Sequence, residues 1–224
     1  MSRFYPIMAD LQGKSALVVG GGKVAQRKIE SLLEHGVSVQ VVAKELTAKL
    51  EELHGAGIID YRGGEFSDIY LDGVFLVFAA TDDASLNHRV SQAAQQKGLL
   101  VNAVDQPADC NFIVPSVLSR GDLLIAVSTC GKSPAFARKV RVELERHFGE
   151  ESALFLNLMG NLRKEVLGLG LSQEENRSAF EELVNSDLLR AIGEKKWDRA
   201  AQIIEKVLGR PVSKDQVLDF LKAE

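Results

Sequence analysis

The first half of the chain alternates short apolar runs with longer amphipathic segments. The apolar runs are SALVVG, VSVQVVA, GVFLVFAAT and LLVNAVD, and the segments between them include VAQRKIESLLEHG and ASLNHRVSQAAQQKG. Short apolar runs that alternate with helical patterns are typical of βαβ units around a parallel sheet. We expect the first helix over about 24–35, ending before Gly36. Its apolar stripe comprises Val24, Ile29, Leu32 and Leu33.

The pattern changes after Asp105. The stretch NFIVPSVLSRGDLLIAVST predicts two antiparallel strands joined by the turn SRGD. Ser133 offers an N-cap, and Pro134 takes the first position of a helix that Gly149 ends. From about Glu151 onward the apolar positions have helical spacing throughout, and short amphipathic helices need a partner surface. A packing or dimerisation module is therefore favoured over an active site in this last third.

Composition limits the classes of partner. The 224 residues are 46% hydrophobic, with a net charge of −4 and a pI near 5.7. These values argue against broad attraction to nucleic acid or to a membrane surface, although they allow a local basic patch. No signal-like stretch opens the chain and no run approaches the ~18 apolar residues of a membrane span, so we expect a cytoplasmic protein. Cys110 and Cys130 lack a CxxC spacing and are expected to be reduced structural thiols.

A glycine-rich junction carries the first chemical signal. Gly20-x-Gly22-x-x-Ala25 follows a predicted strand and opens a helix, which is the context of a dinucleotide-binding fingerprint. Glycine allows the tight turn and the close approach of a pyrophosphate, while the helix start at Lys23 and Val24 presents free N–H groups to the phosphates. The sequence therefore predicts a bound nucleotide cofactor such as NAD.

These signals together predict an α/β chain of three parts. Residues 1–112 form a Rossmann-like parallel sheet that binds NAD. Residues 113–149 form a small antiparallel strand-plus-helix middle segment, and residues 150–224 form a C-terminal helical domain. We expect a homodimer formed through residues from about 113 onward, because the two antiparallel strands leave an edge to cover.

The ends of two further strands supply cofactor candidates. Lys44 and Glu45 follow the second strand, where an acidic residue would read a ribose hydroxyl and Lys44 could accept a 2′-phosphate, so NAD and NADP both stay open. Thr81 and Asp82 follow the next long strand and could line the nicotinamide. A capping role for Asp82 or Asp83 at the following helix is the favoured alternative.

Four ordered motifs give a family resemblance: VVGGGKVAQRKIESLL, FAATDDASLNHRV, VNAVDQPADCNFIVPS and AVSTCGKSPAFAR. Together they resemble the precorrin-2 dehydrogenase and sirohydrochlorin ferrochelatase module of siroheme synthase. The likeness covers residues 3 to about 148, and the helical remainder is similar in character to that family's dimerisation region. The methyltransferase half of the fused siroheme synthases is expected to be absent, since 224 residues leave no room for it.

The resemblance implies a reaction and a base. NAD⁺ takes a hydride from precorrin-2 to give sirohydrochlorin, and some members then insert Fe²⁺ to give siroheme. Asp105 matches the position of the family's essential aspartate. A carboxylate there can accept the proton released on dehydrogenation and the two pyrrole protons released on metallation. The alternative is a turn aspartate that bonds its own backbone.

The implied substrate is a tetrapyrrole that bears eight carboxylates, so local cations are expected to bind it. The basic cluster Arg138, Lys139 and Arg141 and the neighbouring Lys132 are the candidates, although a solvated helix face explains them nearly as well. The other substrate-binding candidates are Asn102, Ser128, Thr129 and Ser133, and phosphorylation of Thr129 stays open.

The four histidines have no spacing typical of a metal site, so iron is expected to be a transient substrate. His147 is a candidate only for an accessory role in chelation. A competing hypothesis is a non-catalytic NAD-sensing module in which Asp105 is structural. A short-chain dehydrogenase is disfavoured because Tyr61 and Tyr70 lack the Tyr-x-x-x-Lys signature.

Overall fold

A computed structural model describes residues 4–168 and 172–223. Within them the chain forms two compact units that divide between Val114 and Pro115. The strands of the first unit are β1 (Ser15–Val19), β2 (Ser38–Val42), β3 (Ile59–Tyr61), β4 (Leu76–Ala79) and β5 (Leu100–Ala103); its helices are α1 (Lys23–Glu34), α2 (Ala48–Gly55) and α3 (Ala84–Gln96).

The first unit is a parallel sheet with strand order β3-β2-β1-β4-β5. Its strands are apolar at successive positions because both faces are covered. Val18 and Phe78 face α1 and α2, whereas Leu17 and Val77 face α3. The expected Rossmann-like arrangement is confirmed, and it brings the ends of β1, β4 and β5 side by side at one edge.

Two details of this unit differ from the sequence expectation. Helix α1 begins one residue earlier, at Lys23, and Val24 is 36% exposed, so the assignment of Val24 to the buried stripe was wrong. Val24 lies in the first turn, at the carboxyl edge of the sheet, and the buried positions are Ala25, Ile29 and Leu32. The three-residue strand β3 was not predicted because its run is too short to show a period.

The second unit begins with the antiparallel pair β6 (Ser116–Arg120) and β7 (Leu123–Val127), as predicted. Helix α4 (Pro134–Glu145) packs on both strands, and Ser133 caps it by accepting a hydrogen bond from the Phe136 N–H. The predicted start of this helix is therefore confirmed.

The remaining helices are α5 (Glu151–Leu167), α6 (Gln173–Val184), α7 (Leu188–Gly193), α8 (Trp197–Leu208) and α9 (Lys214–Phe220). They enclose a core of their own that includes Leu158, Leu162 and Ile204. The segment SDLLRAIGEKKWDRAAQIIEKVLG forms two helices, since Lys195 adopts a left-handed conformation with φ 55° and breaks the helix. The division of residues 113–224 into two functional parts stays a prediction, because α5 also packs against β7.

No helix in the described part of the chain is both long and apolar enough to cross a membrane.

Candidate cofactor and active site

The glycine loop after β1 is shaped by close backbone contacts. Gly20 has φ 129°, and a Cβ there would lie 2.3 Å from the Ala80 carbonyl oxygen. A Cβ on Gly21 would lie 2.0 Å from the Glu45 carbonyl oxygen. Both positions therefore need glycine to let the loop pass between the segments that follow β4 and β2.

Gly22 differs from the two glycines before it. A Cβ at Gly22 would meet nothing within 4 Å, so the space beside it is open. Gly22 is also the N-cap of α1, yet no side chain caps this helix and its first turn holds no acidic residue. The N–H groups at Lys23 and Val24 are thus left to an external acceptor, and both residues are exposed. These features fit the pyrophosphate of a dinucleotide.

The segment after β2 is fixed next to this loop. The Tyr61 hydroxyl donates to the Ala43 carbonyl at 2.8 Å, and the Thr47 hydroxyl donates to the Gln26 side chain at 2.8 Å. Lys44 and Glu45, between these two anchors, are exposed. Their roles at the ribose stay predictions.

The loop after β4 has an internal hydrogen-bond network that the sequence did not reveal. The Thr81 hydroxyl donates to Oδ1 of Asn87 at 2.7 Å, and Nδ2 of Asn87 donates to the Thr81 carbonyl at 3.0 Å. Asn87 is only 3% exposed. Asp83 caps α3 by accepting from two backbone N–H groups, whereas Asp82 is exposed. The signal that could have found Asn87 is an amide on the buried stripe of α3.

Asp105 lies just beyond β5 in a left-handed conformation with φ 59°. Aspartate tolerates this conformation better than most residues, and such backbone often marks functional sites. Its side chain is exposed and makes no hydrogen bond or ion pair with any described residue. The carboxylate is therefore free to meet a ligand.

The loop after β5 that carries Asp105 is joined to α3 by side-chain hydrogen bonds. His88 Nδ1 and an Asp109 carboxylate oxygen are 2.8 Å apart, and the buried Ser91 hydroxyl donates to the Asp109 carbonyl. Gln106 Nε2 donates to the Ala84 carbonyl at 3.0 Å. Because these hydrogen bonds tie the loop to one helix, Asp105 is held in a defined position.

The loop is also tied to β5. The Asn111 side-chain amide accepts a hydrogen bond from the Val101 N–H at 2.7 Å and donates one to the Leu99 carbonyl at 2.8 Å. It thus pairs with this segment as the backbone of a neighbouring strand would. Asn102 donates to the Phe112 carbonyl at 3.1 Å. The predicted contact of Asn102 with substrate stays a prediction, and its amide already holds Phe112 in place.

In the second unit, the loop between β7 and α4 is closed by its own hydroxyl groups. Ser128 Oγ accepts from the Cys130 N–H and Thr129 Oγ1 accepts from the Ser133 N–H, both at 3.0 Å. Cys130 has φ 53°, the same left-handed region as Asp105. These hydroxyls therefore shape the loop, which leaves the Lys132 side chain exposed at its tip.

The basic cluster on α4 is largely neutralised within the helix. Lys139 lies 3.8 Å from Glu143, and Arg141 pairs with Glu145. Arg138 is exposed and has no ionic partner among the described residues. His147 lies beyond the other end of this 12-residue helix, about 18 Å along its axis from the loop that carries Lys132.

Two family models match consecutive parts of the chain. One, described as NAD(P)-binding, covers residues 7–116, and the other, described as the central region of the sirohaem biosynthesis protein, covers residues 120–147. The chain resembles the NAD(P)-binding and central parts of siroheme synthases. A siroheme synthase of Photorhabdus laumondii is 38% identical over 205 residues, which are 92% of this chain and 44% of that protein.

A second siroheme synthase and a solved structure match a similar part of the chain. Siroheme synthase 1 of Yersinia enterocolitica is 40% identical over 181 residues, or 79% of this chain and 38% of that protein. The chain thus spans less than half the length of these curated relatives. A solved structure of SirC, precorrin-2 dehydrogenase, matches with a TM-score of 0.75 and 25% identity, and the match covers 92% of this chain and 100% of that one.

These matches confirm the predicted resemblance to siroheme synthase and an NAD(P)-binding first unit. Within that unit the sheet brings the glycine loop, Thr81 and Asp105 to one edge. The axes of β1 and β5 are separated by β4 alone, which corresponds to about 10 Å. No group of three or more potential metal ligands occurs among residues 4–168 and 172–223.

Proposed function

We propose that this protein catalyses the NAD-dependent dehydrogenation of precorrin-2 to sirohydrochlorin in siroheme biosynthesis. The observation that carries the proposal is the unpartnered Asp105 carboxylate at the same sheet edge as the open glycine loop. The matches to siroheme synthases and the likeness to a precorrin-2 dehydrogenase support it. The expected substrate is a tetrapyrrole rather than a nucleic acid.

Different residues of the first unit bind the cofactor and accept the proton. The N–H groups at the start of α1 hold the pyrophosphate beside Gly22, and the loop after β4 lies next to them. NAD⁺ supplies the hydride acceptor when it is bound. Asp105 accepts the proton that leaves precorrin-2 together with the hydride, so the products are sirohydrochlorin, NADH and a proton.

We extend the proposal to metal insertion. Fe²⁺ is then a substrate, and Asp105 accepts the two pyrrole protons that leave the macrocycle one after the other and releases each to solvent. Lys132 and Arg138 are proposed to bind substrate carboxylates, because both are exposed cations without an ionic partner in the described ranges.

An anaerobic assay tests the reaction directly. We expect the purified chain with precorrin-2 and NAD⁺ to form sirohydrochlorin and NADH in equal amounts, followed by absorbance. Fe²⁺ is then added to detect siroheme. A chain that binds NAD⁺ but leaves precorrin-2 unchanged would contradict the proposal and favour the NAD-sensing alternative. Oxidation without siroheme would limit the activity to the first step.

A homodimer through the β6–β7 sheet is proposed as the assembled form. Val117 and Leu124 are 45% and 46% exposed on the sheet face that α4 does not cover. We expect the wild type to be dimeric by light scattering and Leu124→Asp to be monomeric, because a charge would be buried in the interface. Ile69→Asp, at a 68% exposed position in the first unit, should remain dimeric. A monomeric wild type at micromolar concentration would refute the interface.

A further inference from the structure

Lys28 on α1 is a charged residue with no role in the reaction proposed above. Its side chain is half-buried, and its ammonium nitrogen lies 5.4 Å from the centre of the Phe78 ring. No carboxylate pairs with it among the described residues. Burial lowers the pKa of Lys28 below its usual value, and the neighbouring Arg27 lowers it further. The protein therefore keeps a partly desolvated cation without a counter-ion, which is unfavourable for folding.

The surroundings of Lys28 connect it to the Asp105 loop. The Phe78 and Phe112 rings meet edge to face with centroids 5.5 Å apart. Phe78 on β4 is the register partner of Asn102 on β5, and Asn102 also holds the Phe112 carbonyl. Asp105 follows Asn102 by three residues. Lys28 thus shares with these groups the sheet face on which α1 packs, near the carboxyl ends of β4 and β5.

This arrangement combines a cation with an aromatic wall. The partly exposed Phe112 ring, which packs on the buried Phe78 ring, offers an apolar surface, and the ammonium group offers charge-assisted hydrogen bonds to an anion. A tetrapyrrole that bears carboxylate side chains has both complementary parts, an apolar ring system and peripheral anions. An arriving carboxylate would also supply the counter-ion that Lys28 lacks.

We propose that Lys28 binds a side-chain carboxylate of the tetrapyrrole, with the partly exposed Phe112 ring as the adjoining apolar wall and the buried Phe78 ring supporting it. The inference rests on the proposed function, because it takes the substrate class from it. Lys28 contributes to binding of the macrocycle and takes no part in proton transfer.

Three variants test the role of the charge. Lys28→Met keeps the aliphatic stem and removes the charge, Lys28→Arg keeps the charge, and Arg27→Met removes a neighbouring exposed charge as the matched control. Sirohydrochlorin binding is titrated by absorbance without NAD⁺, and NAD⁺ binding is measured separately by calorimetry. Thermal unfolding of each variant serves as the check on the fold.

We expect Lys28→Met to weaken sirohydrochlorin binding by roughly 10- to 100-fold, the usual effect of losing a hydrogen bond to a charged group. Lys28→Arg should recover most of the affinity, and Arg27→Met should bind as the wild type does. NAD⁺ affinity and the unfolding temperature should not fall in Lys28→Met, because the removed cation is partly desolvated and has no counter-ion among the described residues. In precorrin-2 kinetics, KM should rise with little change in kcat.

Wild-type sirohydrochlorin affinity in Lys28→Met would overturn the assignment, and so would an equal loss of affinity in Arg27→Met. A loss in Lys28→Met that Lys28→Arg does not restore would also count against it, since a packing role would then explain the effect. A wild-type chain that neither binds sirohydrochlorin nor oxidises precorrin-2 would instead remove the proposed function itself.

Discussion

Gly22→Asp is expected to abolish NAD⁺ binding while the protein stays folded. Gly22 has extended backbone angles, φ −80° and ψ −176°, which any residue adopts, and a Cβ added there would meet no atom within 4 Å. Aspartate is a preferred N-cap, so its carboxylate should accept hydrogen bonds from the first turn of α1. That carboxylate would take the N–H groups that the pyrophosphate needs and would repel its negative charge.

The expected loss of NAD⁺ affinity is at least about 100-fold, because juxtaposed like charges cost several kcal/mol. The free energy of unfolding should change by only a few tenths of a kcal/mol. Calorimetric titration and chemical denaturation measure the two quantities. Gly22→Asn caps the same helix without the charge and should lose less affinity. If Gly22→Asp binds NAD⁺ normally, the cofactor lies elsewhere.

Gly20→Ala provides the opposite signature on the same loop. A Cβ there would overlap the Ala80 carbonyl, and φ 129° lies outside the range of residues with side chains. We expect it to lower the free energy of unfolding by on the order of 3 kcal/mol or more through strain and overpacking. Gly20 is therefore required for folding of the loop, whereas Gly22 is required for binding of the cofactor.

The sequence was most informative where local chemistry decides local structure. The strands β1 and β4 are apolar at successive positions because helices cover both faces, and that pattern predicts a parallel sheet. The cap at Ser133 and the turn between β6 and β7 depend on neighbouring residues, so both were predictable. Asp105 could be located from its motif, although the motif did not reveal its left-handed backbone.

The features that were not predicted are contacts between residues that are not adjacent in sequence. The Asn87 amide closes on Thr81 six residues earlier, and the Asn111 amide pairs with β5 ten residues before it. A polar residue on an amphipathic helix or in a loop does not reveal such a partner. The aromatic contact of Lys28 with Phe78 spans 50 positions, and only the packing of α1 on the sheet brings the two together.

Asp105→Asn is expected to lower the rate of precorrin-2 oxidation by roughly 10²- to 10⁴-fold, as is typical when a general base is lost. Asparagine tolerates the left-handed region about as well as aspartate, and the Asp105 carboxylate has no hydrogen bond or ion pair to lose among the described residues. The fold and the NAD⁺ affinity should therefore stay close to those of the wild type. Asp105→Ala adds a backbone cost of about 1–2 kcal/mol, so Asp105→Asn is the sharper test.

Asp68→Asn is the matched control, since it neutralises an exposed carboxylate of the same unit in the segment before β4. It should keep wild-type rates. Both steps are measured in stopped-time assays of sirohydrochlorin and siroheme formation. If one carboxylate serves both, metal insertion should fall together with oxidation in Asp105→Asn. Loss of metal insertion alone would assign Asp105 to the pyrrole protons and leave the dehydrogenation to substrate positioning. Wild-type rates for both steps would show that Asp105 is not the general base, because loss of the base must slow proton transfer. Asp105 would then be a turn residue.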